Sequence, residues 1–250
     1  MTANQTKDTI NGICGALDDL DLVNAGNMIR QTIRSCMDNP LSVVELSLKD
    51  AATRRRNAIY ERRLRLSRLE GAVDLSNLLT YKVRQLDVEY IQNLGRLSFV
   101  RDRRNLVIWG NPGTGKTWLA QAFATEACRN GIKTRWVTYP FLCRELHRLA
   151  AEDPRRFEAR MAYYSRFELL CIDEFPNSES ADNGFMMQEF FNERSIRGFS
   201  NIIVGQSAPA AWDALFPVKS FGQSIRGRIL RNAIELEMKG PDLRLYKPES

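Results

Sequence analysis

Three glycines, a lysine and two threonines fall within eight positions, Gly110, Asn111, Pro112, Gly113, Thr114, Gly115, Lys116 and Thr117, and the apolar run 106–109 delivers the chain into them. A turn this rich in glycine lets successive backbone N–H groups converge on an anion, and a helix that follows adds the positive end of its dipole. Lys116 and Thr117 then supply a cation and a hydroxyl ligand for Mg²⁺. The combination predicts a site for a nucleoside triphosphate, ATP with Mg²⁺. Trp118, next in the chain, is counted with the cofactor-binding residues.

A second block of polar residues completes such a site. Residues 167–174 read FELLCIDE, an apolar strand that ends on the adjacent carboxylates Asp173 and Glu174. Side chains alternate along an extended strand, so the two should point differently: Asp173 to organise Mg²⁺ with Thr117, Glu174 to orient an attacking water. The next apolar run, 201–205, ends on Gln206, a neutral amide suited to sensing the γ-phosphate or the water. Residues 224–231 read SIRGRILR. There Arg228, a permanently charged fork, can reach the nucleotide of a neighbouring subunit, which requires an oligomer. The alternative is that Arg226, Arg228 and Arg231 form a face turned to solvent or DNA.

The elements that must hold these residues alternate. Residues 106–110, 134–138, 169–173, 201–206 and 234–238 are short β-prone runs, each separated by enough chain for a crossover helix. The expected fold is α/β, a five-stranded parallel sheet flanked by helices, with ligands collecting at the carboxyl ends of its strands. Residues 117–130 should form a helix stopped by Gly131. Residues 141–151 should form another, carrying the sole histidine, His147, as a surface or packing residue. Ahead of the sheet the chain reads as helical: short stretches at 29–33 and 41–48, an amphipathic basic helix over 51–70, and a further helix over 77–97. A change of pattern near residue 75 divides a helical domain, 1–75, from an ATPase domain, 76–250.

Composition bounds the class. The 250 residues are 44% hydrophobic, enough for a buried core. No apolar run is long enough to cross a bilayer, and the polar start MTANQTKDTINGI does not resemble a secretory signal, so a cytoplasmic protein with no membrane partner is expected. Cys14, Cys36, Cys128, Cys143 and Cys171 are odd in number and never form a Cys-x-x-Cys pair, which argues against structural zinc and for small reduced core residues. The net charge of +6 is unevenly spread. Arg54, Arg55, Arg56, Arg62, Arg63, Arg65 and Arg68 face only Glu61 and Glu70 within residues 51–70, and Arg101, Arg103 and Arg104 form a second cluster. Clustered arginine suits a phosphate backbone, so these seven are the candidate DNA contacts, largely independent of base sequence.

The blocks GNPGTGKTWLAQAFATEACRNG, FELLCIDEF, NIIVGQSAPAAW and SIRGRILRNAIELEMKG, in this order and spacing, resemble the IstB-type transposition helper ATPases of bacterial insertion sequences. These belong to the AAA+ superfamily and stand close to the helicase loaders DnaC and DnaI. The resemblance implies that Lys116 and Thr117 bind phosphate and Mg²⁺, that Asp173 and Glu174 serve metal and water, and that Gln206 is the sensor and Arg228 the trans-acting finger. It also implies a short chain beyond the last strand with no helical lid, ATP-bridged homo-oligomers on duplex DNA, and a cognate transposase as partner. A helicase loader of the DnaC/DnaI type is the nearest alternative. A small-molecule kinase would need a lid and an acceptor pocket, and a scaffold without turnover would have no use for Glu174.

Overall fold

A computed structural model describes residues 3–19, 23–35, 40–69, 71–77, 86–176 and 184–245. Cys36, Glu70 and most of the first half of the helix expected over 77–97 lie outside them. The chain divides into two compact units, residues 1–62 and 63–250, so the boundary falls ahead of the position near 75 expected from the change of pattern.

In the first unit, α1 (Ala3–Asp19) and α2 (Val23–Ser35) pack through Cys14, Leu17 and Ile29, with Ile10, Ile13, Val44 and Ala51 against them. Helix α3 (Pro40–Ser67) joins the stretches 41–48 and 51–67 that the sequence suggested were separate. Neither glycine nor proline interrupts it after Pro40, so nothing breaks the hydrogen-bond ladder until Arg68 takes a left-handed backbone, φ 62°. The expected amphipathic character is absent. Residues 52–59 are exposed all round, and Ile59 and Leu66 face solvent with the arginines. Such a helix has no apolar stripe to bury and offers charge on every side.

The second unit, which begins within the last turns of α3, continues with α4 (Val88–Gly95), capped by Asp87, whose side chain accepts from the Tyr90 N–H, and with the short α5 (Ser98–Arg101). Strand β1 (Asn105–Gly110), α6 (Lys116–Arg129), β2 (Thr134–Thr138), α7 (Tyr139–Glu152), α8 (Pro154–Ser165), β3 (Leu169–Asp173), α9 (Gly184–Arg197), β4 (Ser200–Gly205), α10 (Lys219–Leu230) and β5 (Ala233–Met238) follow. All five strands are parallel, in the order β2-β3-β4-β1-β5.

Strand alternation gives each face its own core. Leu106, Ile108, Leu169, Cys171, Ile202 and Val204 pack with Leu119, Phe123 and Ala127 of α6. Val107, Leu170, Ile172 and Ile203 pack on the other face with residues of α7, α9 and α10. Both faces being covered explains why β3 and β4 read as continuous apolar runs rather than alternating ones. Cys14, Cys128, Cys143 and Cys171 are buried free thiols.

Candidate functional site

The sheet order places β4 between β1 and β3, so the ends of these three strands bring residues 110–117, Gln206 and Asp173 to one edge. The loop after β1 is a tight nest. Gly113 has φ 75°, and a β-carbon there would overlap the Asp242 carboxylate, at 1.9 Å from its nearest oxygen. The left-handed backbone favours glycine, and any side chain there would have to displace the Asp242 carboxylate. The Thr114 hydroxyl donates to the Asn111 carbonyl at 2.9 Å and closes the loop. Helix α6 starts at Lys116, so its unpaired N–H groups and positive dipole end lie at the loop.

Lys116 is buried, and its ammonium donates to the carbonyls of Gly110 at 2.8 Å and Asn111 at 2.6 Å. Burial pushes this ammonium below its ordinary range; Asp173 opposes the fall and Arg244 adds to it. The Thr117 hydroxyl donates to Asp173 Oδ2 at 2.9 Å, joining the helix start to the end of β3. Burial raises the Asp173 carboxyl, and the bonds from Thr117 and from the Glu174 N–H work against that rise. A desolvated carboxylate beside a threonine hydroxyl is an all-oxygen donor set suited to Mg²⁺, and the nest with Lys116 suits the phosphates beside it.

Glu174 departs from the strand geometry expected of it. Strand β3 stops at Asp173, and Glu174 sits at φ 60°, exposed, with its N–H bonded to Asp173 Oδ1 at 2.8 Å. The two carboxylates do diverge, but through a left-handed turn and not through pleat alternation. A non-glycine residue held there carries backbone strain, which the Phe175 N–H bond to the Val204 carbonyl, 2.8 Å, helps fix. Gln206 is exposed just past β4.

Arg228 lies at the other end of the sheet. Its Nε donates to Asn192 Oδ1 at 3.1 Å and its Nη1 to the Ser224 carbonyl, beside a cavity lined by Asn105, Asn201 and Asn232 at the amino ends of strands. Within one copy it therefore does not join the groups around Lys116. Arg226 is committed to a two-pronged pair with Asp213, at 2.8 and 3.0 Å, so it does not belong to the free basic face considered from sequence. Trp118 is half-buried and packs against the apolar core beside α6.

Of the seven arginines, Arg54, Arg55, Arg56, Arg62, Arg65 and Arg68 are exposed. Arg54 pairs with Asp50 at 2.8 Å. Arg63 instead lies against Gly131 at the end of α6, its Nη1 3.1 Å from where a β-carbon would stand.

Sequence reasoning missed the segment after β5. There the Leu243 N–H donates to the Gly113 carbonyl at 2.9 Å, and Asp242 is held against the loop by Arg244, Nη2 to Oδ2 at 2.8 Å. A short polar stretch after a strand carries no local signal that it folds back over a loop 130 residues earlier.

Residues 15–249 match the family described as IstB-like ATP binding protein. The chain belongs to that family. It is 25% identical over 236 residues to an ATP-binding protein in an insertion sequence of Mycobacterium tuberculosis, covering 94% of this chain and 91% of the relative. An insertion-sequence ATP-binding protein of Sinorhizobium fredii is 27% identical over 200 residues, 80% of this chain and 79% of that one. Among solved structures, DnaI superposes with a TM-score of 0.55 at 19% identity, over 68% of this chain and 89% of its own, a likeness of fold. No described helix is long and apolar enough to cross a membrane.

Proposed function

We propose that this chain is an ATP-hydrolysing switch of an insertion sequence, which oligomerises on duplex DNA in its ATP-bound form and recruits or stimulates a partner transposase. The observation that carries the reading is the junction of two distant motifs: Thr117 and Asp173 bonded at 2.9 Å, with Lys116 in the adjoining nest. The membership in an ATP-binding family and the insertion-sequence relatives support it.

In this reading the N–H groups of residues 113–117 and the Lys116 ammonium hold the β- and γ-phosphates, and Thr117 and Asp173 hold Mg²⁺. Magnesium, when bound, supplies charge neutralisation on the phosphate oxygens. Glu174, exposed and turned away from Asp173, accepts a hydrogen bond from the attacking water and orients it in line. Gln206 follows β4, the strand between those that end at Asp173 and at the phosphate loop, and would sense the terminal phosphate or that water from there. Arg228, remote from its own site, completes the site of a neighbouring copy, which makes assembly and turnover interdependent. The exposed arginines of α3 then lie along a polyanion with little preference for base sequence.

Phosphate release with and without duplex DNA tests the enzymatic part. Glu174→Gln should keep nucleotide affinity and lose turnover, and unchanged turnover overturns the role of Glu174. Arg228→Ala should spare binding and lower turnover by about 10³-fold, the scale of an arginine supplied in trans. Mixing the Arg228→Ala and Glu174→Gln proteins should restore part of the activity. The DnaI-like fold favours one second reading, delivery of a replicative helicase. Capture of a hexameric helicase and no transposase would decide for it.

A further inference from the structure

Outside the nucleotide site, the second unit carries a concentration of arginine that neither the phosphate loop nor helix α3 accounts for. Edge strand β2 contributes Arg135, helix α8 contributes Arg156 and Arg160, and the turn after α3 contributes Arg68. Together with Leu149, Ala159 and Tyr163 they line a cleft of about 400 Å³ that has no acidic residue in its wall. A second cleft shares Arg68, Arg135 and Arg160, and its one acid, Glu145, is already engaged by the Tyr164 hydroxyl at 2.8 Å and by Arg160 at 3.1 Å.

Two of these guanidiniums are held in place. Arg135 and Arg160 lie over the Tyr163 ring, at 5.5 and 5.4 Å from its centroid, as does Arg166 at 4.6 Å, so the first two have little side-chain freedom left to lose on binding an anion. Arg135 is anchored further by its Nη1 bond to the Leu66 carbonyl at 3.0 Å, while its buried Nε has no hydrogen-bond partner among the described residues. Arg68 and Arg156 are exposed and make no ion pair among the described residues.

The charge does not stop at the rim of the cleft. Arg65 is exposed near the end of α3, and Arg155 and Arg166 are exposed at the two ends of α8. Arg65 and Arg166, outside the cleft wall, add exposed positive charge on the same unit, which suits a polymer of phosphates more than a compact anion.

We propose that the Arg68, Arg135, Arg156 and Arg160 cleft of the ATPase unit seats a backbone phosphate of nucleic acid, a contact separate from the exposed arginines at 54–62. It rests on the reading above that this chain binds DNA, and adds to it where the second unit does so. Phosphodiesters accept from planar guanidinium forks, and a contact made to the phosphate alone carries no base information, so it should be indifferent to sequence.

The test measures binding of the full-length protein, with ATP and magnesium, to two labelled duplexes of unrelated sequence as a function of salt. Each lost phosphate contact lowers the slope of log affinity against log salt by about 0.9. The Arg68→Ala/Arg156→Ala variant should lower it by about 0.9, the loss of one phosphate contact, equally for both duplexes, with nucleotide affinity unchanged. Arg156→Lys, keeping the charge, should restore most of the binding in the Arg156 background. Arg155→Ala, on the same helix but outside the cleft wall, should change the slope by less than half as much. A slope equal to the parent's in the double variant overturns the cleft and leaves DNA binding standing, as does an Arg155→Ala effect as large as that of Arg156→Ala. A parent protein that ignores both duplexes overturns the DNA reading itself and the cleft with it.

Discussion

The two ends of the parallel sheet are equally polar and put that polarity to opposite use. At the amino ends of the strands, Arg194 is fully buried and donates to Asn201 Oδ1 at 2.6 Å, to the carbonyls of Tyr164 and Phe167 at 3.0 Å each, and to that of Ser200 at 2.7 Å. Asn105 Oδ1 accepts from the backbone and side chain of Asn201, both at 2.9 Å, and Asn105 Nδ2 donates to the Ile229 carbonyl at 2.7 Å. Each of these side chains is answered from within the chain. At the carboxyl ends, Lys116 and Asp173 are desolvated as well and, like Arg194, pushed toward their neutral forms, and Glu174 is strained. One end holds its buried cation with four internal acceptors; the other holds Lys116 with two and leaves Glu174 strained and exposed.

The sharpest way to break this contrast is Arg194→Leu. It should cost about 3–5 kcal/mol, because four buried acceptors lose their donor at once, read as a lower urea midpoint. A loss below about 1 kcal/mol would mean that the amino end is not a structural clamp. Burial pushes the Arg194 guanidinium down to about 9, so it remains charged at neutral pH and the network should hold there.

Next in size, Lys116→Ala should weaken ATP binding by about 10²-fold, near 3 kcal/mol, in a fluorescent-nucleotide titration, with little change in the urea midpoint. A large loss of stability with intact binding would reverse the assignment of the two ends.

The smallest effect is expected from Asp173→Asn without nucleotide. Burial raises the Asp173 carboxyl above its unfolded value of 3.8, so the folded chain binds more protons between those two pKa values. The stabilising contribution of the protonated form is present below the unfolded pKa and disappears as pH rises through the folded one. At neutral pH the amide should therefore raise the thermal midpoint relative to the parent, and the difference should shrink as pH falls into the acid range. A lower midpoint at neutral pH would show that the carboxylate stabilises the empty fold.

Much of the second unit was legible because its signals are local. Apolar runs bounded by polar ends marked the five strands to within a residue, and the glycine spacing at 110–117 marked the loop between β1 and α6. The order of the strands was not legible, since a run such as 201–205 does not say which neighbours it will pair with. The turn at Glu174 was hidden for a related reason: the bond that helps fix its left-handed backbone joins residues 175 and 204, which are remote in sequence. Arg63 and Arg68 read alike in the sequence, yet one lies on Gly131 and the other walls a cleft. The basic helix was overread as amphipathic, because Ile59, Leu66 and Leu69 fall near helical spacing without a partner surface for the first two.

Gly205 is pressed against the chain that follows β3: a β-carbon there would stand 1.9 Å from the Phe175 carbonyl oxygen. The Phe175 ring is in turn gripped edge-on by Tyr139 and Trp212, each with centroids at 4.8 Å, and by Phe191 at 5.8 Å. Glu174 and Gln206 thus flank a single seam with no slack in it. The backbones that carry the acid and the amide are therefore pressed against each other, and a backbone shift on one side of that seam meets the other.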